Sequence, residues 1–153
     1  MSLQSVQAYF DTFDMSHRVM VLEQSTATVD EAAAAHGVDP DQIGKTLSFK
    51  LDEDPILIVV AGNAKIDNKK YKGVFSKKAK MLSPDEALDF TGHEIGGVCP
   101  FGLKHPMAVY LDVSLKKFGE VIPAAGDRNA SIRLTLDELE RFSGSRGWVD
   151  VCR

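Results

Sequence analysis

Residues 45–62 read KTLSFKL, DED, PILIVVAG, and this stretch limits the fold more than any other. The first run alternates apolar and polar residues, the period of a strand with one covered face. After the acidic turn, PILIVVAG is apolar at consecutive positions, so both of its faces need cover. It belongs in the core. At 153 residues, 44% of them hydrophobic and 26% charged, the chain is expected to form one domain (residues 1–153). A chain of that size can bury such a strand without disulfide or metal staples.

The segments around this pair alternate in kind. Residues 3–13 have helical spacing, with Leu3, Val6, Phe10 and Phe13 on one side. RVMVLE (18–23) reads as a short strand. Thr28, with Glu31 three residues later, predicts a capping box for a helix over 29–36, which Gly37 ends. Asp39 and Pro40 predict the cap and first position of a short second helix. DNKKYKGVF and SPDEALDFTG are helical, the latter capped by Ser83 with Pro84 just inside. IGGVCPFG (95–102) is a loop bracketed by Gly and Pro. MAVYLD (107–112), EVIPAA and ASIRLTL (130–136) are strands, and LDELERF (136–142) is a closing helix. Trp148 is expected to pack the last segment onto the core. No repeat, linker or low-complexity segment is present. The elements lack a regular βαβ rhythm, which predicts an α+β fold with a mixed, partly closed, barrel-like sheet.

Composition removes several function classes. No apolar run approaches the roughly 20 residues of a membrane span, and MSLQSVQAYFDTF has no basic, apolar signal pattern. No membrane partner is expected. Cys99 and Cys152 form neither a metal nor a redox motif, so a cytoplasmic protein with free thiols is the plain reading. The net charge of −4 argues against wrapping nucleic acid but permits contact with one end of an RNA. Within that balance, KIDNKKYKGVFSKKAK (65–80) carries seven lysines and one acid: a solvated face, or a tRNA-facing patch.

TVDEAAAAHGVDPDQIGKTLSFK (28–50) admits three readings. As a helix-turn-helix it would turn Asp39 and Asp41 toward phosphates, and Gly44 stops the second helix after about one turn. DNA is therefore not an expected partner. As a phosphate-binding loop, GKT needs a glycine at position 39, which is aspartate, and it follows a helix rather than a strand. What remains is Lys45 where a short helix passes into a strand, beside Gly44.

At this point the sequence resembles a known family. TATVDEAAAAHGVDPDQIGKTLSFK, PILIVVAGNAKIDNKKY, TGHEIGGVCPFG, MAVYLD and AAGDRNASIRLT, in that order, are similar to the YbaK/prolyl-tRNA synthetase-associated domain. The likeness runs from about residue 15 to residue 142. It implies a free-standing, trans-acting deacylase that hydrolyses mischarged aminoacyl-tRNA, with relatives acting on tRNA carrying Ala, Cys, Ser or Thr. The implied partners are the tRNA acceptor end and, more weakly, a synthetase; no metal or other cofactor is implied. Carried over by position, the family lysine falls on Lys45, next to Thr46. The G-x-x-x-P loop falls on Gly96, Gly97, Val98, Cys99 and Pro100, followed by Phe101. Where some members place a serine and an aspartate in the pocket, this chain has Ala124 and Ser131, so a charge is lost.

The chemistry agrees with those residue types. An aminoacyl ester is easier to hydrolyse than an amide, so a positioned water, oxyanion donors and a socket for the tRNA 3′ end suffice. Backbone N–H groups of a Gly-rich loop supply donors, and Pro100 stiffens the loop. Lys45 supplies positive charge for a terminal phosphate or the ester carbonyl. The family resemblance adds a ribose hydroxyl that helps place the water. Lys45, Gly96 and Pro100 are thus the expected catalytic residues. Thr46, Gly97, Val98, Cys99, Phe101, Ala124 and Ser131 are the expected substrate contacts. Cys99 as a nucleophile is disfavoured, because a free thiol with pKa roughly 8.5 is mostly protonated at neutral pH. His93 and His105 read as loop surface, with His93 near the substrate, and His17 and His36 as exposed. The other reading is a non-catalytic RNA- or protein-binding module on the same fold.

Overall fold

The computed structural model describes residues 2–153. Five α-helices surround a curled, half-barrel mixed sheet. The elements in order are α1 (Ser2–Asp11), β1 (Val19–Val21), α2 (Val29–His36), β2 (Ile43–Phe49), β3 (Ile56–Ala61), α3 (Asn68–Phe75) and α4 (Pro84–Thr91). They continue with β4 (Ala108–Asp112), β5 (Glu120–Pro123), β6 (Ala130–Ile132), β7 (Leu134–Thr135), α5 (Leu136–Phe142) and β8 (Trp148–Val149). The main sheet runs β7-β5-β2-β3-β4-β8, and β1 and β6 form a separate antiparallel pair. A bridge between Ala124 and Ser131 ties the small ladder to the end of β5.

PILIVVAG is buried for the reason its composition implies. β3 is flanked by antiparallel β2 and parallel β4, and every residue from Ile56 to Ala61 is buried. One face packs into a cluster with Val6, Phe10, Phe101 and Leu139, the other into a cluster with Phe49, Tyr71 and Val151. The strand therefore divides two cores.

Caps set most helix ends. Thr28 accepts from the Glu31 N–H, and Gly37 ends α2 in the left-handed region. Only that half of the expected box is present at α2, whereas complete boxes form at Ser83–Glu86 on α4 and Thr135–Glu138 on α5. The predicted second helix is a single 3-10 turn, Pro40–Gln42, because Ile43 already enters β2. α1 stops at Asp11, leaving Phe13 40% exposed. ASIRLTL forms two short strands, β6 and β7, rather than one. β8 was not apparent from sequence; it places the half-buried Trp148 beside Leu111. Buried Asp112 secures the end of the chain by accepting from the Val151 and Ser114 N–H groups.

Two histidines depart from expectation. His36 is half-buried, not exposed. His93 is fully buried instead of lying on the loop surface. Its Nε2 lies 2.7 Å from the Phe101 carbonyl, which can only accept, so Nε2 carries the proton. Nδ1 then accepts from the Ser2 hydroxyl. Burial lowers the pKa of His93 below 6.5, opposed by its bond to Phe101. A depressed base favours the neutral form, so its contribution to stability is full above pH 6.5 and declines as pH falls through the folded value. NMR titration of the His93 ring is expected to give a midpoint below 6.5; one at or above 6.5 would contradict this neutral clamp.

Candidate functional site

One cavity of about 210 Å³ gathers six of the ten residues singled out from sequence: Lys45, Thr46, Gly96, Val98, Ala124 and Ser131. It exists because β2 is only half covered. β3 pairs with β2 from Gly44 to Phe49, but β5 reaches its other edge only at Ile43 and Gly44. At the far end the edge is closed again by Leu82, whose N–H donates to Ser48 O at 3.1 Å. Between these closures the edge borders open space, which is why consecutive residues Ile43–Ser48 all line it. Backbone groups alternate in direction along a strand, so Thr46 turns its N–H and C=O to the same side as Ser48. The Thr46 Oγ1 is also buried without a hydrogen-bond partner. An orphaned buried hydroxyl costs stability, and what Thr46 presents to the cavity is its backbone edge.

Lys45 lines the cavity, and its ammonium donates to the Ala64 carbonyl at 2.9 Å. Desolvation lowers its pKa, with Lys65 adding to the effect and Cys152 and Asp41 opposing it. Three ammonium hydrogens and one protein acceptor leave two donors for a ligand.

The opposite wall is the Gly-rich loop. Gly96 has φ +97°, and an added Cβ would meet Ala27 and Arg128 side-chain carbons at 3.1 Å. Gly97 is packed more tightly: its Cβ would lie 2.6 Å from Asp127 N and Gly126 C. Its N–H donates to Glu94 O and its C=O accepts from Gly126 N–H, so it joins two loops. The Gly97 N–H is thereby spent. The N–H groups of Gly96 and Val98 have no partner among the described residues.

Gly97, Cys99, Pro100 and Phe101 do not line the cavity. All four are buried behind it, with Cys99 and Phe101 in the core beside Val6 and Phe10. Burial pushes the Cys99 thiol up to about 12. His93 Nε2 is 3.5 Å from Sγ but already carries a proton, so it cannot accept the thiol's. Cys99→Ala is therefore expected to leave hydrolysis within threefold of wild type and cost about 1 kcal/mol of stability. A trapped thiol-linked acyl intermediate would contradict this.

Cavity residues not anticipated include Thr26, Val29, Ser48, Met81, Leu82, Ile95 and Ile122. Ile95 and Met81 are each 54% exposed. Only the quoted loop IGGVCPFG hinted at Ile95; the rest depend on pairings across the sheet. Among the described residues no three His, Cys, Asp or Glu side chains gather as a metal site. No helix among them is long and apolar enough to cross a membrane.

A family profile described as an aminoacyl-tRNA editing domain matches residues 23–142. The chain belongs to that family. The matched span contains the whole cavity lining. Among relatives, YwhH of Bacillus subtilis (strain 168), an uncharacterized protein, is 55% identical over 154 residues, covering 100% of this chain and 98% of that one. EbsC of Enterococcus faecalis, named as a candidate Cys-tRNA(Pro)/Cys-tRNA(Cys) deacylase, is 30% identical over 114 residues, 73% of this chain and 70% of that one. A crystal structure of a candidate trans-editing enzyme for prolyl-tRNA synthetase superposes with TM-score 0.89 at 33% identity, covering 99% and 97% of the two chains. That structure shares the YbaK-like fold described above.

Proposed function

We propose that this chain is a trans-acting deacylase that hydrolyses the ester of a mischarged aminoacyl-tRNA bearing a small amino acid. The observation that carries the reading is the cavity itself, an uncovered strand edge and a Gly-rich loop around one space, with Lys45 on its wall. At about 210 Å³ it is smaller than the roughly 300–1,000 Å³ of pockets that engulf drug-sized ligands. It suits an aminoacyl group, with the terminal nucleotide outside at the mouth.

In this account the Gly96 and Val98 N–H groups receive the developing oxyanion as water adds to the ester carbonyl. The tetrahedral intermediate then collapses, releasing the amino acid and the ribose hydroxyl. Thr46 offers its backbone N–H and C=O on the open edge of β2 to the amino group or the attacking water. Lys45 turns its ammonium to the ester carbonyl, where charge develops, or to the terminal phosphate. Pro100 and Gly97 keep the loop in place from behind, a positioning role rather than contact with substrate. Cys99 and Phe101 support the same wall. EbsC and the trans-editing structure favour tRNA as substrate and a loose association with a synthetase.

Ala124 and Ser131 close the cavity with small side chains and no charge. A methylene discriminates by only about 1–3 kcal/mol in an apolar pocket, so strong rejection must be steric. On one tRNA, Ala and Ser esters are expected to be cleaved faster than Pro or Leu esters. Ala124→Val should slow Ser more than Ala. Similar rates for Ala, Pro and Leu esters would remove the size filter.

A further inference from the structure

We propose that the lysine face of residues 65–80 is the surface along which the RNA backbone approaches the cavity, gripping phosphates on one bank of the mouth. This inference rests on the deacylase reading for its substrate, but its surface is separate from the cavity chemistry.

The segment holds seven lysines and one aspartate in a chain of net charge −4, so the remainder is strongly acidic. Two of the seven are neutralised, Lys70 by Asp150 at 3.1 Å and Lys77 by Asp52 at 3.3 Å. Lys65, Lys69, Lys72, Lys78 and Lys80 are exposed and form no ion pair among the described residues. Unpaired lysines are free to neutralise phosphates, and the cations released from the nucleic acid when they do so drive binding.

Placement turns these charges toward the site. α3 lies across the sheet, with Tyr71 against Phe49 on β2 and Phe75 against Tyr110 on β4. Lys70 leaves the helix toward Asp150, on the β8 side. At about 100° per residue, Lys72 leaves on the opposite flank, the β2 side, where the cavity opens. From there the chain returns along β2: Lys80 O accepts from Lys50 N–H at 2.7 Å, and Met81 bridges Phe49. Met81 and Leu82 line the cavity, so Lys80 stands one residue from its wall.

The far bank is mixed. Thr28, Val29 and Ala32 of the α2 region line the cavity, and the exposed acids Asp30 and Glu31 occupy the first turn of α2. Exposed Arg128 stands against Gly96 on the same bank. On the lysine side exposed Asp85 follows Leu82 on α4, and Glu86 is engaged by Lys50 at 3.0 Å. The unpaired lysines outnumber these acids, so a polyanion is drawn more strongly to their side of the mouth. Met81 and Ile95, each 54% exposed, offer apolar contact to the last nucleotide as it turns in.

The test is the triple reversal Lys72→Glu, Lys78→Glu, Lys80→Glu, with Lys104→Glu as a remote exposed control. For aminoacyl-tRNA, KM is expected to rise at least about tenfold with kcat unchanged, and the slope of log KM against log salt to become shallower by about 2. An aminoacylated terminal trinucleotide, which carries no stem, should be hydrolysed equally by variant and wild type. Unchanged KM and salt slope for tRNA would overturn the proposal. So would loss of polyglutamate binding with tRNA kinetics intact, since that would assign the face to an acidic protein. If the wild type hydrolyses no ester, the deacylase reading fails on its own. Filter binding of uncharged tRNA then decides the surface by the same criteria.

Discussion

Replacing Lys45 by alanine is expected to lower single-turnover hydrolysis about 10- to 100-fold while the protein stays folded. Lys45 is half-buried and its ammonium has one protein acceptor, the Ala64 carbonyl. Removing it leaves one carbonyl unpaired at a partly exposed site, which the fold can tolerate. A charge-assisted contact that forms as charge develops on the ester carbonyl is worth about 1.5–3 kcal/mol in a partly dry site, and that range converts to the stated rate loss. Lys45→Arg should recover little, because the broader guanidinium cannot keep the Ala64 bond and reach the same point. Hydrolysis by Lys45→Ala within threefold of wild type would remove Lys45 from the mechanism.

How far such a site can be read from sequence depends on whether its causes are local. Caps are local. Thr28, Gly37 and Ser83 bound their helices where the sequence places them, because each acts on groups within four residues. The buried β3 strand was legible because eight apolar residues in a row have no other use. The cavity was legible only through its motif, since Lys45, Gly96, Ala124 and Ser131 lie on separate elements. Nothing in the local pattern marks the backbone of Thr46 as uncovered; that follows from β5 pairing with β2 only at Ile43 and Gly44. His93 shows the same limit. Its burial depends on Ser2, 91 residues away, and on Phe101. β8 is two residues long and carries no periodicity to detect.

Gly97→Ala is expected to be severely damaging where the loop backs the cavity. The new Cβ would meet two backbone atoms, Asp127 N and Gly126 C, at 2.6 Å, and no rotamer can relieve that. The two loops must part, breaking the bond from Gly126 N–H to Gly97 O. Overpacking against backbone should cost about 2–4 kcal/mol, which lowers Tm by roughly 5–15 °C for a chain of this size. Hydrolysis should fall by at least about tenfold, because Gly96 and Val98 move with the loop. Gly73→Ala is the counter-case: its Cβ meets nothing within 4 Å on the exposed face of α3, and it should gain about 0.5–1 kcal/mol. If Gly97→Ala melts with wild type and keeps its rate, the loop junction does not hold the site.

The central claim is that the cavity breaks an ester rather than merely holding an RNA end. It is tested most directly by following one tRNA, charged with alanine, under single-turnover conditions with purified wild-type protein and with Lys45→Ala. Wild type is expected to show first-order loss of the alanyl ester well above its spontaneous decay, and the variant a rate about 10- to 100-fold lower at equal bound fraction. Wild-type protein that saturates with the charged tRNA while the ester decays at its spontaneous rate would contradict the account, and would leave a binding module in its place.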